Sequence, residues 1–236
     1  MLHSTRAIVL RTIRHGDRST ILKAYTEAFG LRSYAVRAGG KGGVREALLQ
    51  PLARLELVVS ELPEREVQRV REVRAERPYL RLTEDPMRAA FALFLQEVLY
   101  RTLREEAADP AAFSFVQQAL EDLDEWADLA DLPNRFLVHF TRHLGFFPEP
   151  PEEGEERFDL REGHFFRGAA PHEFCLPPEQ SAELAVLLDL PLEAGMVVRT
   201  SPHRRALLDG LLLYYRVHLP GGGEWRSPEV LRAVLR

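Results

Sequence analysis

Arg6-Ala7-Ile8-Val9-Leu10-Arg11-Thr12-Ile13 decides the fold class, because its residues alternate between the two faces of an extended chain. Ala7, Val9 and Arg11 fall on one face, and Ile8, Leu10 and Thr12 on the other. Working outward, His15-Gly16-Asp17-Arg18 is a turn signal, and residues 19–26 are rich in β-branched and aromatic side chains, which predicts a second strand. Glu27-Ala28-Phe29-Gly30 turns the chain again, ahead of a third strand over 31–38. A glycine cluster at 39–43 and a short helical piece near 48–50 follow. Residues 52–60 then alternate, with Leu55, Leu57 and Val59 set against Arg54 and Glu56. A fifth strand is expected over 67–77, where Val67, Val70 and Val73 fit a period of three as well as a period of two. Five short strands with turns and one small helix fit a small closed barrel of the OB type.

From residue 83 the period becomes helical. Asp85-Pro86 offers an N-cap followed by proline at the first helical position. Met87, Ala90, Phe91, Phe94, Leu95 and Val98 then recur at helical spacing. Asp109-Pro110 opens a second helix carrying Phe113, Val116, Leu120 and Leu123. Pro133 opens a third, with Phe136, Leu137, Phe140 and Leu144, stopped by Gly145. Ser201-Pro202 and Ser227-Pro228 open two more. Between the third and fourth helices, the Pro/Glu run at 148–156 predicts a mobile loop. Residues 157–166 read as strand pieces about a Glu162-Gly163 turn, and 182–188 as a short helix. The fold class is therefore α+β. An OB barrel is expected over 1–80 and a mainly helical domain over 81–236, with an irregular insert at about 146–180.

The 236 residues are 45% hydrophobic and 28% charged, enough to bury a core without staples. The single cysteine, Cys175, excludes an internal disulfide. The longest apolar stretches fall well short of the ~20 residues that a bilayer demands. The N-terminal residues carry no signal-peptide pattern, so a cytoplasmic location is expected. Net charge is −5, which alone argues against a polyanionic partner, but the distribution is uneven. Residues 1–60 hold ten Lys/Arg against four acids, a net +6, while 61–236 carry a net −11. A basic head on an acidic body suggests a polyanion site at one end, weighed against the plain alternative of solvated arginines.

Gly39-Gly40-Lys41-Gly42-Gly43 lacks the Ser or Thr that a phosphate-cradling P-loop places after its lysine, so nucleotide hydrolysis is not expected. The loop instead lets Lys41 and Arg45 approach a nucleic-acid backbone, with Arg37 entering it; Arg14 and Lys23 complete the set of expected phosphate contacts. Tyr25, Phe29 and Tyr34 are candidates for stacking on bases or for core packing. His139 and His143 lie four apart on one helix, and His164, His172 and Cys175 follow, but no CxxC or HExxH spacing is present. No metal or other cofactor is expected. With no GxSxG elbow, Cys175 reads as a small apolar residue, and no enzymatic chemistry is expected.

Several stretches resemble the RecO family of recombination mediators. They are Arg6-Ala7-Ile8-Val9-Leu10 with Asp17, Ile21-Leu22, Thr26-Glu27 and Gly30, and the basic glycine loop followed by Leu49-Gln50-Pro51-Leu52. Arg135-Phe136 through His143-Leu144-Gly145-Phe146, Arg205-Ala206-Leu207-Leu208, Tyr214 through Leu219, and Ser227-Pro228-Glu229-Val230-Leu231 are similar in the same way. The resemblance implies an OB fold joined to a helical domain. It implies binding of single- and double-stranded DNA, annealing of complementary strands, and, with RecR, loading of RecA onto strands covered by single-strand-binding protein. It also implies a cytoplasmic, nucleoid-associated location. Many members bind zinc through four cysteines after the third helix; this chain keeps only Cys175, so the metal is not carried over and Phe158, Phe165, Phe166 and Phe174 are expected to hold that segment. The family's helical domain binds the acidic, apolar C-terminal tail of single-strand-binding protein, and Arg135 and Arg142, seven apart on the third helix, are the expected cations for it.

Two other classes remain open on the residues alone. One is an interaction adaptor whose barrel does not touch nucleic acid; the other is a metal-dependent hydrolase using His139 and His143.

Overall fold

Strand β1, Leu2–Arg14, is long enough to serve two neighbours, and this closes the barrel. Its first half, Leu2 to Ile8, pairs antiparallel with β4, Arg54–Ser60. Its second half pairs with β2, Ser19–Thr26, which pairs in turn with β3, Gly30–Arg37. β5, Val67–Ala75, joins β3 in parallel and β4 antiparallel, giving the closed order β1-β2-β3-β5-β4. This is the OB-like barrel expected from the sequence, with a 3-10 turn at Glu46–Leu49. The computed structural model describes residues 1–15, 19–37, 39, 43–62, 64–82, 85–104, 108–126, 128–190, 201–219 and 225–234. Lys41, most of its glycine loop and the Gly16-Asp17-Arg18 turn lie outside the described residues.

Two bulges change the faces that strict alternation assigns. The β1–β2 register shifts between Val9 and Arg11, so Leu10 is the extra residue. Ala7 and Val9 point into the core, but Arg11 is turned to the outside, against the expectation that all three share a face. The carbonyl freed at Leu10 accepts a 2.7 Å hydrogen bond from Gln96 Nε2. A second shift, between Val58 and Val59 on β4, leaves Arg71 as the extra residue on β5. Val70 and Val73 therefore both pack against the core, which is why their spacing reads as three.

The barrel interior is filled by Ala7, Val9, Leu22, Ala24, Tyr34, Val36, Leu55, Leu57 and Val59, all buried, and Leu49 closes one end. Leu52 beside it adopts φ +64°, a left-handed conformation that a leucine does not choose unaided. It is held there because its amide donates to Val9 O at 2.6 Å and the Val9 amide donates to Ala53 O at 3.0 Å. Gln68, 3% exposed, ties off the β4–β5 connection: its side chain accepts from the Leu62 amide at 2.9 Å and donates to Leu62 O and Arg65 O.

The helices begin where the Asp-Pro and Ser-Pro pairs predict. α1 is Pro86–Thr102, and Asp85 Oδ1 caps the Met87 amide at 2.8 Å. α2 is Pro110–Glu125, and Asp109 Oδ1 caps the Ala112 amide at 2.9 Å. α3, Leu132–Leu144, ends on Gly145 at φ +82°. The chain forms two compact units: Met1–Thr83 with Leu95–Leu120, and Glu84–Phe94 with Glu121–Arg236. In the first, Tyr25 on β2 packs against Phe113 on α2 at 5.6 Å.

In the second unit a short hairpin, β6 (Arg157–Asp159) and β7 (His164–Phe166), precedes α4 (Pro178–Asp189), α5 (Ser201–His218) and α6 (Ser227–Val234). α4 runs four residues further toward the N-terminus than its apolar spacing suggests, because Pro178 opens it as the first helical residue. Tyr214 and Tyr215 on α5 donate to Phe146 O and Leu137 O, each at 2.7 Å. Gly163 sits at φ +76° in the hairpin turn, where a Cβ would meet the Tyr214 hydroxyl at 2.9 Å, so only glycine fits. The segment expected to be a mobile loop is pinned: the Glu149 amide donates to Gly163 O, the Glu156 amide to Phe166 O, and Arg167 to Glu153 O.

Candidate nucleic-acid interface

Cross-strand partners share a face, so the ladders define which side chains stand together outside the barrel. One row reads Arg11, Lys23, Ser33, Val67 across β1, β2, β3 and β5. The next reads Ile13, Ile21, Ala35, Arg69, and a third adds Ser19 and Arg37. None of these residues is acidic. Arg11, Ile13, Arg37 and Arg69 are exposed, and Lys23 and Ile21 are half-buried. Arg11 Nη1 donates to the Tyr100 hydroxyl at 3.0 Å, and the Lys23 ammonium lies 5.9 Å from the centre of the same ring. Tyr100, on α1, thus sets two cations side by side.

Elsewhere on the barrel three arginines are paired with carboxylates. Arg6 meets Glu27 and Glu76, Arg32 meets Glu61 at 3.8 Å, and Arg74 meets Glu72 at 2.7 Å. Glu27's carboxyl is held below the usual carboxylate range, chiefly by its hydrogen bonds from Arg6. Arg6, Glu27, Glu56, Glu72 and Arg74 line a groove of about 450 Å³ over β1, β4 and β5, where the acids outnumber the arginines. Among the described residues Arg11, Arg14, Arg37, Arg45, Arg69 and Arg71 form no ion pair. Arg11, Arg37 and Arg69 of this set share the β1–β2–β3 face and its β5 edge, Arg14 leaves from the end, and Arg71 stands apart at the β5 bulge.

The residues singled out from sequence divide accordingly. Arg37 and Lys23 stand on the outer face, and Arg45 is exposed just before the 3-10 turn. Arg14 is exposed too, but its row runs through Thr20 to Val36, which is the core side, so it leaves from the end of the barrel. The aromatic candidates for base stacking are otherwise occupied. Tyr34 is wholly buried and donates to Glu61 at 2.9 Å, Tyr25 is 3% exposed, and Phe29 lies edge-on against His3. Burial raises the hydroxyls of both tyrosines above their ordinary range. Arg11 and Arg69 escaped sequence reading: the Leu10 bulge hid the face of Arg11, and only the parallel β3–β5 ladder sets Arg69 beside Ala35.

In the second unit Arg135 and Arg142 do not form one cationic stripe. All of α3 from Leu132 to Thr141 is buried, and Arg135 is 2% exposed, so a bound peptide does not reach its guanidinium. Arg142, in the last turn of the helix, is exposed and lies 3.8 Å above the Phe147 ring. His139 stacks on Phe147 from the other position, and His143 leans on Phe140.

The histidine and cysteine candidates separate as well. His164 is exposed, while His172 Nδ1 lies 3.5 Å from Cys175 Sγ and its Nε2 lies 3.2 Å from Asp159 Oδ2. Asp159, which no motif signals, also accepts from the Arg161 and Glu162 amides. These three donor atoms lie within 4.8 Å of one another. They are one ligand short of a closed four-coordinate site, and the carboxylate already caps the hairpin turn, so the set does not fit a structural zinc. Burial raises the Cys175 thiol, which leaves it protonated and a poor nucleophile. The hydrogen-bonded clasp acts with the buried Phe158–Phe165 pair, 4.9 Å apart, and with Arg161 stacked 4.2 Å from Phe174.

The model for the N-terminal region of recombination protein O matches residues 1–79, and that for its C-terminal region matches residues 83–227. The chain belongs to the RecO family. RecO proteins similar to it over 99% of both chains include the DNA repair proteins RecO of Phocaeicola vulgatus, 31% identical, and of Bacteroides fragilis, 30% identical. That of Flavobacterium psychrophilum is 30% identical over 98% of both. The general role of the family is thus DNA repair. Among the described residues no helix is long and apolar enough to cross a membrane.

Proposed function

We propose that this RecO-family chain is a non-enzymatic recombination mediator whose barrel, residues 1–80, binds DNA through its phosphates. The observation that carries this reading is the sorting of charge on the barrel. Arg6 and Arg74, on the β1–β4–β5 side, are matched to carboxylates, whereas Arg11, Arg14 and Arg37, on the β1–β2–β3 side and at its end, are not. Unmatched cations on an OB face are what a polyanionic strand requires. Arg14, Lys23, Arg37, Lys41 and Arg45 are the proposed phosphate contacts, in both single- and double-stranded DNA. Holding strands by the backbone leaves base edges free to pair, which is the chemistry that annealing needs.

In this reading RecR assists the chain in loading RecA onto strands coated by single-strand-binding protein, in the cytoplasm at the nucleoid. The acidic tail of the coating protein docks at Arg142, with Phe147 as the apolar neighbour. Titration of labelled single-stranded DNA at several salt concentrations tests the barrel's part. A steep fall of affinity with salt supports the mediator, and a flat response with no measurable binding points to an adaptor.

A further inference from the structure

We propose that Gln96 and Tyr100, one turn apart on α1, are positioning residues that hold Arg11 outside the barrel and seat it beside Lys23. The functional consequence rests on the DNA-binding reading above; the placement itself does not. In an unbroken ladder Arg11 would stand opposite Leu22, because Val9 stands opposite Ala24. Leu22 is a core residue, so a guanidinium in that row would be buried among apolar side chains. The extra residue at Leu10 shifts the register. Arg11 then meets Lys23, and Thr12 takes the place opposite Leu22.

The bulge leaves a main-chain acceptor to satisfy. Leu10 is fully buried, and its carbonyl accepts from Gln96 Nε2 at 2.7 Å, a donor from outside the ladder. Residues four apart share a helix face, so Tyr100 stands on the same side of α1 one turn on. Its hydroxyl accepts from Arg11 Nη1 at 3.0 Å, and its ring centre lies 5.4 Å from that guanidinium and 5.9 Å from Lys23 Nζ. One helix face thus satisfies the bulge and catches the arginine that the bulge turns out. A hydroxyl is an uncharged acceptor, so it orders Arg11 without cancelling its charge, unlike the carboxylate that Glu27 sets on Arg6. A long side chain that is already ordered loses less freedom when a ligand binds to it.

Placement and charge separate in the variants. Binding of a fluorescein-labelled oligothymidylate is measured across salt for the wild type, R11A, Y100F, Q96M, R11A/Y100F, R11A/Q96M and R37A/R45A. R11A is expected to lower the salt slope by about 0.7, the value of one phosphate contact on a single strand. Y100F and Q96M are each expected to weaken binding about three-fold, the scale of ordering one long side chain, and to leave the slope unchanged because every charge remains. Neither has a further effect once Arg11 is alanine. Nitrogen relaxation of the Arg11 Nε signal, assigned by its absence from R11A, reads the placement without DNA: rigid in the wild type, mobile in Y100F. Circular dichroism establishes that each variant is folded. An Arg11 signal as rigid in a folded Y100F as in the wild type overturns the placement, whatever the binding result. If R11A loses slope while Y100F and Q96M bind as the wild type does, the positioning role falls and Arg11 remains a contact. If R11A, Y100F and Q96M all match the wild type while R37A/R45A loses slope, the inference falls and the DNA-binding reading stands. If R37A/R45A matches the wild type as well, the DNA-binding reading itself falls, and the relaxation alone decides the placement.

Discussion

Arg6 grips Glu27 with two parallel hydrogen bonds, Nε to Oε2 at 2.9 Å and Nη2 to Oε1 at 2.6 Å. The same guanidinium donates to Gln117 on α2 at 2.8 Å. Arg6 is the first arginine of the basic N-terminal region, and by charge count alone it belongs with the DNA contacts. Its fork is instead matched to a carboxylate, which removes it from the set that faces solvent unpaired.

A first pair of expectations follows from that grip. R6A lowers DNA affinity far less than R37A, because its charge is already neutralised; equal losses would show that pairing does not sort these arginines. Glu27's carboxyl is lowered in the folded state, so its contribution to stability is present above the unfolded carboxylate range and is lost as pH falls through the lowered folded value. With both partners about a third exposed, that contribution is on the order of 1 kcal/mol or less. Urea denaturation therefore finds E27Q slightly less stable than the wild type at neutral pH and indistinguishable from it in strong acid.

Arg88 on α1 is 5% exposed and donates to Leu123 O and, at 2.6 Å, to Trp126 O, closing the C-terminal end of α2. R88A strands two carbonyls and opens a gap, and costs about 2–4 kcal/mol in denaturant unfolding. R88K recovers little, because an ammonium does not reach two carbonyls with the geometry of the planar guanidinium. A lysine variant as stable as the wild type would contradict this role.

The Cys175 thiol is raised chiefly by burial; a hydrogen bond with His172 opposes the shift, Asp159 adds to it, and Arg157 and Arg161 oppose it more weakly. Its alkylation by iodoacetamide at neutral pH is therefore slower than that of a free thiol, and the rate climbs only above the ordinary thiol range. A rate at neutral pH above that of free glutathione would reverse the conclusion and reopen nucleophilic chemistry at His172 and Cys175.

For the partner tail, R142A weakens binding of an acidic, apolar C-terminal peptide roughly ten-fold, the worth of one charge-assisted hydrogen bond. R135A acts on stability, because that side chain is interior. The docking site is refuted if peptide affinity is the same in the wild type and a folded R142A.

What the sequence made legible was whatever depends on local chemistry. Asp85 and Asp109 cap their helices as their Asp-Pro pairs predict, Gly145 ends α3, and the alternation of Leu55, Leu57 and Val59 marks a strand with one buried face. Non-local relations were not legible. The Leu10 bulge reverses Arg11 because β1 must turn from β4 to β2, and nothing in eight alternating residues announces that. Arg135 and Arg142 share a helical side by spacing, but α3, which packs against α4 and α5, is buried from Leu132 to Thr141 while Arg142 is exposed. Asp159 joins His172 and Cys175 only through the pairing of a three-residue strand.

The central claim is that the unmatched cations of the barrel hold DNA by its phosphates. Its most direct test is the slope of binding affinity against salt for a single-stranded oligonucleotide, wild type beside R37A/R45A. Two lost contacts predict a slope shallower by about 1.4 and weaker binding to every sequence alike. An unchanged slope and affinity in a folded double variant would contradict it.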